Sequence, residues 1–174
     1  MVIKKTTQVG TPVIRKKSLP VKAIFNSRKI KKIVKDLIDS MRYHNLVGMA
    51  APQIGINQRI FVSEIRETKL RKSNETDPVR VFINPKIISL SRELVFGYEG
   101  CGSVANAGLF GKVRRAQSVV VEAFDKKGGK FRLRASGLLA RIIQHENDHL
   151  DGKVFLDRLS DMESIMSREE YLKR

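Results

Sequence analysis

Apolar and polar positions divide the chain into a helical stretch, a strand-rich middle and a mostly helical end. From residue 26 to about residue 44, Ile30, Ile33, Val34, Leu37, Ile38 and Met41 recur at i, i+3, i+4 and i+7, which predicts a helix with one buried stripe. Asn26 or Ser27 can cap its first turn. Arg28, Lys29, Lys31, Lys32 and Lys35 fall mostly off the stripe and read as its solvated face. Residues 1–25 mix turn signals such as Gly10-Thr11-Pro12 and Leu19-Pro20 with short apolar pairs, so an irregular arm is predicted.

Residues 45–57 are small and turn-rich and predict a close-packed loop. Residues 59–65 read as a strand, and 66–78, polar and without a period, as a surface loop. Residues 79–90 and 94–98 read as further short strands, interrupted by Asn84-Pro85. Residues 112–124 contain a β-branched run at 118–121. A turn at 125–129 leads to 130–134, the second arm of a hairpin. Ser136 can cap a second helix with an apolar stripe of Leu138, Leu139, Ile142 and Ile143, and Gly152 stands where that helix should stop. Ser160 and Glu163 have capping-box spacing, with Met162, Ile165, Met166 and Leu172 following, which predicts a third helix over 160–174.

Composition narrows the class. A chain of 174 residues, 41% hydrophobic and 30% charged, fits one globular domain over 1–174. No apolar run approaches the roughly 18 residues of a membrane span, and no secretory signal is apparent. One cysteine, Cys101, excludes an internal disulfide framework and suits a reducing compartment. The net charge of +16 is uneven: residues 1–44 carry 12 basic and two acidic side chains, the remainder 22 and 16. Such an excess implies a polyanionic neighbour. With no tryptophan and 6% aromatics, no base-stacking motif is visible.

The candidate chemistry uses the scarce residues. His145-Glu146-Asn147-Asp148-His149 is an H-E-x-x-H, and on a helix its two histidines face one point while Glu146 sits at the edge of that face. Ile142 and Leu138 continue the same stripe, so the histidines point inward. A catalytic site of this kind needs a third ligand. Glu163, Glu169 and Glu170 lie downstream, the first better read as a cap. Upstream stands Cys101 in a glycine-flanked turn, which by itself could equally be a small buried apolar residue.

Three segments carry a resemblance to the peptide deformylases: VGMAAPQ (47–53), EGCGS (99–103) and QHENDHL (144–150). The likeness runs from about residue 9 to 159. It implies an α+β fold of antiparallel sheets packed around a central helix carrying H-E-x-x-H, with an N-terminal and a C-terminal helix. It implies Cys101, His145 and His149 as ligands of one divalent metal ion, Fe(II) in the cell, with zinc, nickel or cobalt able to replace it. Glu146 then matches the general acid/base, and the Gln53 amide and the Gly102 backbone N–H the oxyanion donors. Gly48, Leu46, Ile142 and Asn147 are candidates to line the substrate site, and Glu99 is expected to pair with a base such as Arg115. The implied activity is removal of the N-terminal formyl group from nascent peptides that begin with N-formylmethionine. The implied setting is a bacterial cytoplasm, or an organelle, beside rRNA at the ribosome and away from membrane and DNA.

The chain departs from that pattern at three places. Leu46 stands where the first motif usually begins with glycine, Gly102 replaces the commonest leucine of the second, and the stretch 103–115 is about two residues longer, with Arg114 in place of a proline. These departures and the basic arm support an alternative, a ribosome- or RNA-associated protein that keeps the fold with weak or altered activity. A zincin-like endopeptidase with a downstream glutamate ligand is a further reading.

Overall fold

The structure, a computed structural model, describes residues 2–23, 27–68 and 75–174. Its helices are a single turn α1 (Pro12–Arg15), α2 (Arg28–Tyr43), α3 (Gly137–Leu150) and a last turn α4 (Arg168–Tyr171). Its strands are β1 (Gly48–Ala50), β2 (Ile60–Ile65), β3 (Asp77–Leu90), β4 (Leu94–Gly100), β5 (Leu109–Ala116), β6 (Ser118–Phe124), β7 (Lys130–Ser136) and β8 (Met166–Ser167). They form an antiparallel five-stranded sheet, β1-β2-β3-β6-β7, and an antiparallel three-stranded sheet, β4-β5-β8. The fold is the α+β arrangement expected.

Two helices cover opposite faces of the larger sheet. Side chains alternate along a strand, so Ile60, Val62, Val81 and Ile83 meet the α2 stripe of Ile33, Val34, Leu37 and Met41. Phe61 and Phe82, one residue out of step, stack on each other with ring centroids 4.4 Å apart and pack against Ala140, Ile143 and Leu150 of α3. That is why β2 reads as a nearly unbroken apolar run: both of its faces are buried. Burying a phenylalanine contributes about 1.5–3 kcal/mol, so this stacked pair is a large part of what fixes α3 to the sheet. The third cluster, with Ile14, Cys101, Val113, Val154 and Phe155, ties the cysteine turn to the chain after α3.

Several expectations change in detail. Ser27 caps α2, its side chain accepting from the Ile30 N–H, while Asn26 lies outside the described residues. The expected loop over 45–57 holds β1 and a 3-10 turn at Ala51–Ile54, too short to show a period. The loop over 66–78 ends earlier, since β3 begins at Asp77, and its residues 69–74 lie outside the described ones.

Asn84-Pro85 bends β3 without ending it. Asn84 takes a φ of 50°, the register shifts between Ile83 and Lys86, and the Asn84 amide bonds both backbone groups of Val21 at 2.8 and 2.9 Å. The bulge accommodates the proline that cannot donate to a ladder.

Ser136 stands at the N-cap of α3 without a side-chain cap bond. The chain leaves α3 through Gly152 at φ 74°. Of the helix expected over 160–174 only the single turn α4 is formed. Asp161, not Ser160, caps a 3-10 turn at Met162–Ser164, and Met166 and Ser167 pair with Phe110 and Leu109 of β5 before α4. Strand pairing with a distant edge overrides the local helical spacing.

Candidate metal centre and cleft

Helix α3 places His145 and His149 on one inward face, and the turn after β4 brings Cys101 to them. The ligand atoms of Cys101, His145 and His149 all lie within 4.8 Å of one another, with Cys101 Sγ 3.2 Å from His149 Nε2. Donors held about 2.0–2.3 Å from one tetrahedral ion stand roughly 3.3–3.8 Å apart, so a small contraction would close this set on a cation. A buried thiol, the buried His149 imidazole and the partly buried His145 imidazole, at the foot of a cleft, suit a borderline-soft divalent metal ion.

The electrostatics of the three are coupled. Burial pushes the Cys101 thiol up, but the imidazoles of His149 and His145 outweigh it and bring it down to about 5. Burial pulls His145 down, but Cys101 and Glu99 hold it well above the ordinary imidazole value. A cation binds thiolate and neutral imidazole, so its arrival would release protons from this group.

A second layer orients the first. His145 Nδ1 lies 2.9 Å from Glu99 Oε2, which leaves Nε2 for the centre. Glu99 is clamped by Arg115 at 3.0 and 2.9 Å and by Arg141 at 2.9 Å. Arg115 reaches on to Asp148 at 2.5 Å, which also accepts from Arg158 at 3.1 and 2.8 Å. The pairing of Glu99 with Arg115 is as expected. The roles of Arg141, Asp148 and Arg158 were not foreseen, although Asp148 on a buried helix face needed a cation. Burial raises Glu99, but His145 and Arg115 hold it well below the usual carboxylate range. Gln144 fastens α3 to the end of β5, bonding the Ala116 N–H and carbonyl at 3.0 and 2.9 Å.

Glu146 is buried against Gly48. A Cβ at residue 48 would run into the Glu146 carboxylate, so only glycine lets β1 lie this close. Among the described residues Glu146 Oε2 has no hydrogen-bond partner, nor has His149 Nδ1. Burial pushes Glu146 up to about 7, with His145 and His149 pulling the other way. Gln53 is equally buried. Its Oε1 accepts from the Ala50 N–H at 2.8 Å, which turns its Nε2 towards Cys101 Sγ at 3.6 Å.

Of the predicted residues, Leu46, Gly48, Gln53, Cys101, Gly102, Ile142, His145 and Glu146 line one cleft, and His149 lies behind it. Asn147 is not among them. It sits beside a second cavity on the far side of α3 and bonds Asp151 at 3.0 Å, because one step along the helix turns it about 100° away from Glu146. Sequence reasoning missed the aromatic wall, where Phe110 and Tyr171 stack with centroids 4.1 Å apart, since only the β5–β8 pairing brings Tyr171 there. It also missed what the arm does. Thr7 donates to the Gln53 carbonyl at 2.8 Å, Val9 to the Ser103 carbonyl at 2.8 Å and Gln8 Nε2 to the Gly102 carbonyl at 2.8 Å, lacing the first and second motifs together.

An α+β fold that brings a Cys/His/His donor set and a buried glutamate to the floor of a cleft has the form of a metallohydrolase centre. Residues 3–164 match the family model of polypeptide deformylases. The peptide deformylase of Dictyoglomus thermophilum is 40% identical over 168 residues, which cover 97% of this chain and 99% of its own. The class I type b peptide deformylase of Acinetobacter baumannii, solved with Met-Ala-Ser bound, aligns with a TM-score of 0.85 at 31% identity over 91% of this chain and 100% of its own. That of Synechococcus elongatus, solved with actinonin, aligns with a TM-score of 0.79 at 33% identity over 97% of this chain and 83% of its own. The chain belongs to the polypeptide deformylase family, a family of metalloenzymes. These relatives are bacterial, and among the described residues no helix is long and apolar enough to cross a membrane.

Proposed function

We propose that this chain removes the N-terminal formyl group from nascent polypeptides that begin with N-formylmethionine, releasing formate. The observation that carries this reading is the convergence of Cys101, His145 and His149 within 4.8 Å at the foot of a cleft that Glu146 and Gln53 also line. Met-Ala-Ser, held by the Acinetobacter baumannii relative, is what a formylated tripeptide would leave behind.

Cys101, His145 and His149 would hold one divalent ion, Fe(II) in the cell with zinc, nickel or cobalt as substitutes, and that ion would supply Lewis-acid activation of water. Glu146, with a free carboxylate oxygen at the cleft, takes a proton from the attacking water and passes it to the leaving amine. The Gln53 amide, fixed by Ala50, and the Gly102 N–H receive the charge that develops on the formyl oxygen. Ile142, Leu46 and Gly48 line the groove in which the methionyl end would lie. Glu99 holds the His145 ring in place.

The setting follows from the substrate. Nascent chains emerge beside rRNA in the bacterial cytoplasm. Lys16, Lys17, Arg28, Lys29 and Lys31 are all exposed, and bases of this kind would dock on phosphate. Ribosome binding that does not weaken as salt rises would count against that contact.

The test is formate release from formyl-Met-Ala-Ser by protein loaded anaerobically with iron. Turnover is expected. A loaded, folded protein that releases no formate would overturn the reading and leave the alternative of a binding protein. Glu146→Ala should keep the metal and lose about 10²–10⁴-fold in kcat, measured with the same substrate.

A further inference from the structure

Leu46 and Gly102, two positions at which the chain departs from the motifs it resembles, touch across the cleft. A Cβ built on Gly102 would stand 3.0 Å from Leu46 Cδ1 and 3.3 Å from Thr6 Cγ2. Gly102 is not among the residues of positive φ, so space and not backbone conformation keeps the position small. The backbone of Leu46 is held from both sides. Its N–H donates to the Met41 carbonyl at 2.9 Å, its carbonyl accepts from Arg66 Nη1 at 2.8 Å, and it packs against the α2 core. From the other side Gln8 Nε2 donates to the Gly102 carbonyl at 2.8 Å, and Gln8 Oε1 is itself fixed by the Asn106 N–H at 3.0 Å.

We propose that Leu46 is a positioning residue for residue 102. It fills the volume that a side chain at 102 would take and presses the cysteine turn against Thr6 and Gln8. Gly102, although a glycine, is thereby held with its N–H aimed into the cleft. The apolar wall beside the formyl oxygen comes from the first motif and not from the cysteine turn. The activity readout rests on the deformylase reading; the packing readout does not.

The test is a double-mutant cycle on the metal-loaded protein: Leu46→Gly, Gly102→Leu and the two together. Gly102→Leu alone crowds Leu46, and Leu46→Gly alone frees the turn. Each is expected to lower kcat for formyl-Met-Ala-Ser by about tenfold or more, with KM changed less, because a small misplacement of an oxyanion donor acts on the transition state. The pair, with the bulk moved across the cleft, should return to within about threefold of the starting protein. Visible absorption of the Co(II)-loaded forms, which reports the Cys101 thiolate, should stay alike throughout. Losses that simply multiply in the pair, in kcat and in the urea unfolding midpoint alike, would overturn the proposal. Should the starting protein release no formate, the deformylase reading fails by itself. The cycle is then read on the unfolding midpoint, where coupling supports the shared volume and additivity overturns it. If Gly102→Leu does not accumulate, Gly102→Ala with Leu46→Ala forms the same cycle with the Cβ alone.

Discussion

Helices α2 and α3 both take part in ion pairs, but in different surroundings. Along α2, Lys32 pairs with Asp36, Lys35 with Asp39 and Arg42 with Glu64, and the three bases keep 64%, 63% and 51% of their side-chain surface in water. Behind α3, Arg115 pairs with Glu99 and Asp148, and all three are at least 92% buried. Water reaches the base of each α2 pair, so such pairs contribute at most about 1 kcal/mol; of the three acids only Asp36, 5% exposed, leans on its base as a buried charge does. Buried charges have lost their hydration and depend on each other, so taking one away strands the rest. The chain uses the first kind to carry a soluble basic face and the second to aim a histidine.

Breaking the buried network should have the larger effects. Arg115→Ala leaves Glu99 and Asp148 without their shared base and is expected to cost about 3–5 kcal/mol of unfolding free energy, read from urea denaturation. A loss below about 1 kcal/mol would mean that the network behaves like the α2 surface. Glu99→Gln keeps the volume but weakens the hold on His145 Nδ1. Metal affinity, measured by competition with a chromophoric chelator, should fall by about 10–100-fold while the fold persists. An unchanged affinity would detach the network from the metal centre.

The exposed pairs should answer more weakly. The hydrogen bond from Arg42 holds Glu64 below its ordinary value, with burial opposing. A lowered folded pKa contributes stability that is complete above the unfolded value of about 4.3 and is lost as the pH falls through the lowered one. Glu64→Gln should therefore lose less stability than the starting protein between pH 5 and pH 3, as thermal unfolding would show. Lys35→Ala, at the other end of the scale, removes a base from a carboxylate that water still reaches, so thermal unfolding should show only a small deficit, and that deficit should shrink further in high salt.

How far the site could be read from sequence depends on how local its geometry is. His145, Glu146 and His149 share one helical face, and periodicity alone places them. Cys101 needed a turn after a strand to arrive beside them; its thiol made it one candidate among several for the third ligand, and the likeness to a family singled it out. The α2 stripe was legible because burial on one face leaves a 3.6-residue period. Strand β1 was not, because three residues carry no period. In the tail from Ser160 the spacing of Met162, Ile165 and Met166 fits a helix, yet Met162 stands exposed and Met166 pairs with Phe110 of β5. Asn147 was placed by adjacency in the motif, whereas the helix turns it to the other side.

The sequence by itself determined which residues are scarce and reactive, that two helices have one apolar stripe each, and that the chain is heavily basic. These are properties of composition and short-range spacing. The tertiary structure decided what each of them meets. It set Glu99 on His145, brought Leu46 against Gly102 across 56 positions of chain and laced both motifs with the arm at Thr7, Gln8 and Val9. Such contacts join residues far apart in the chain, and no local pattern encodes them. They follow only when burying apolar faces has fixed which strands and helices lie together.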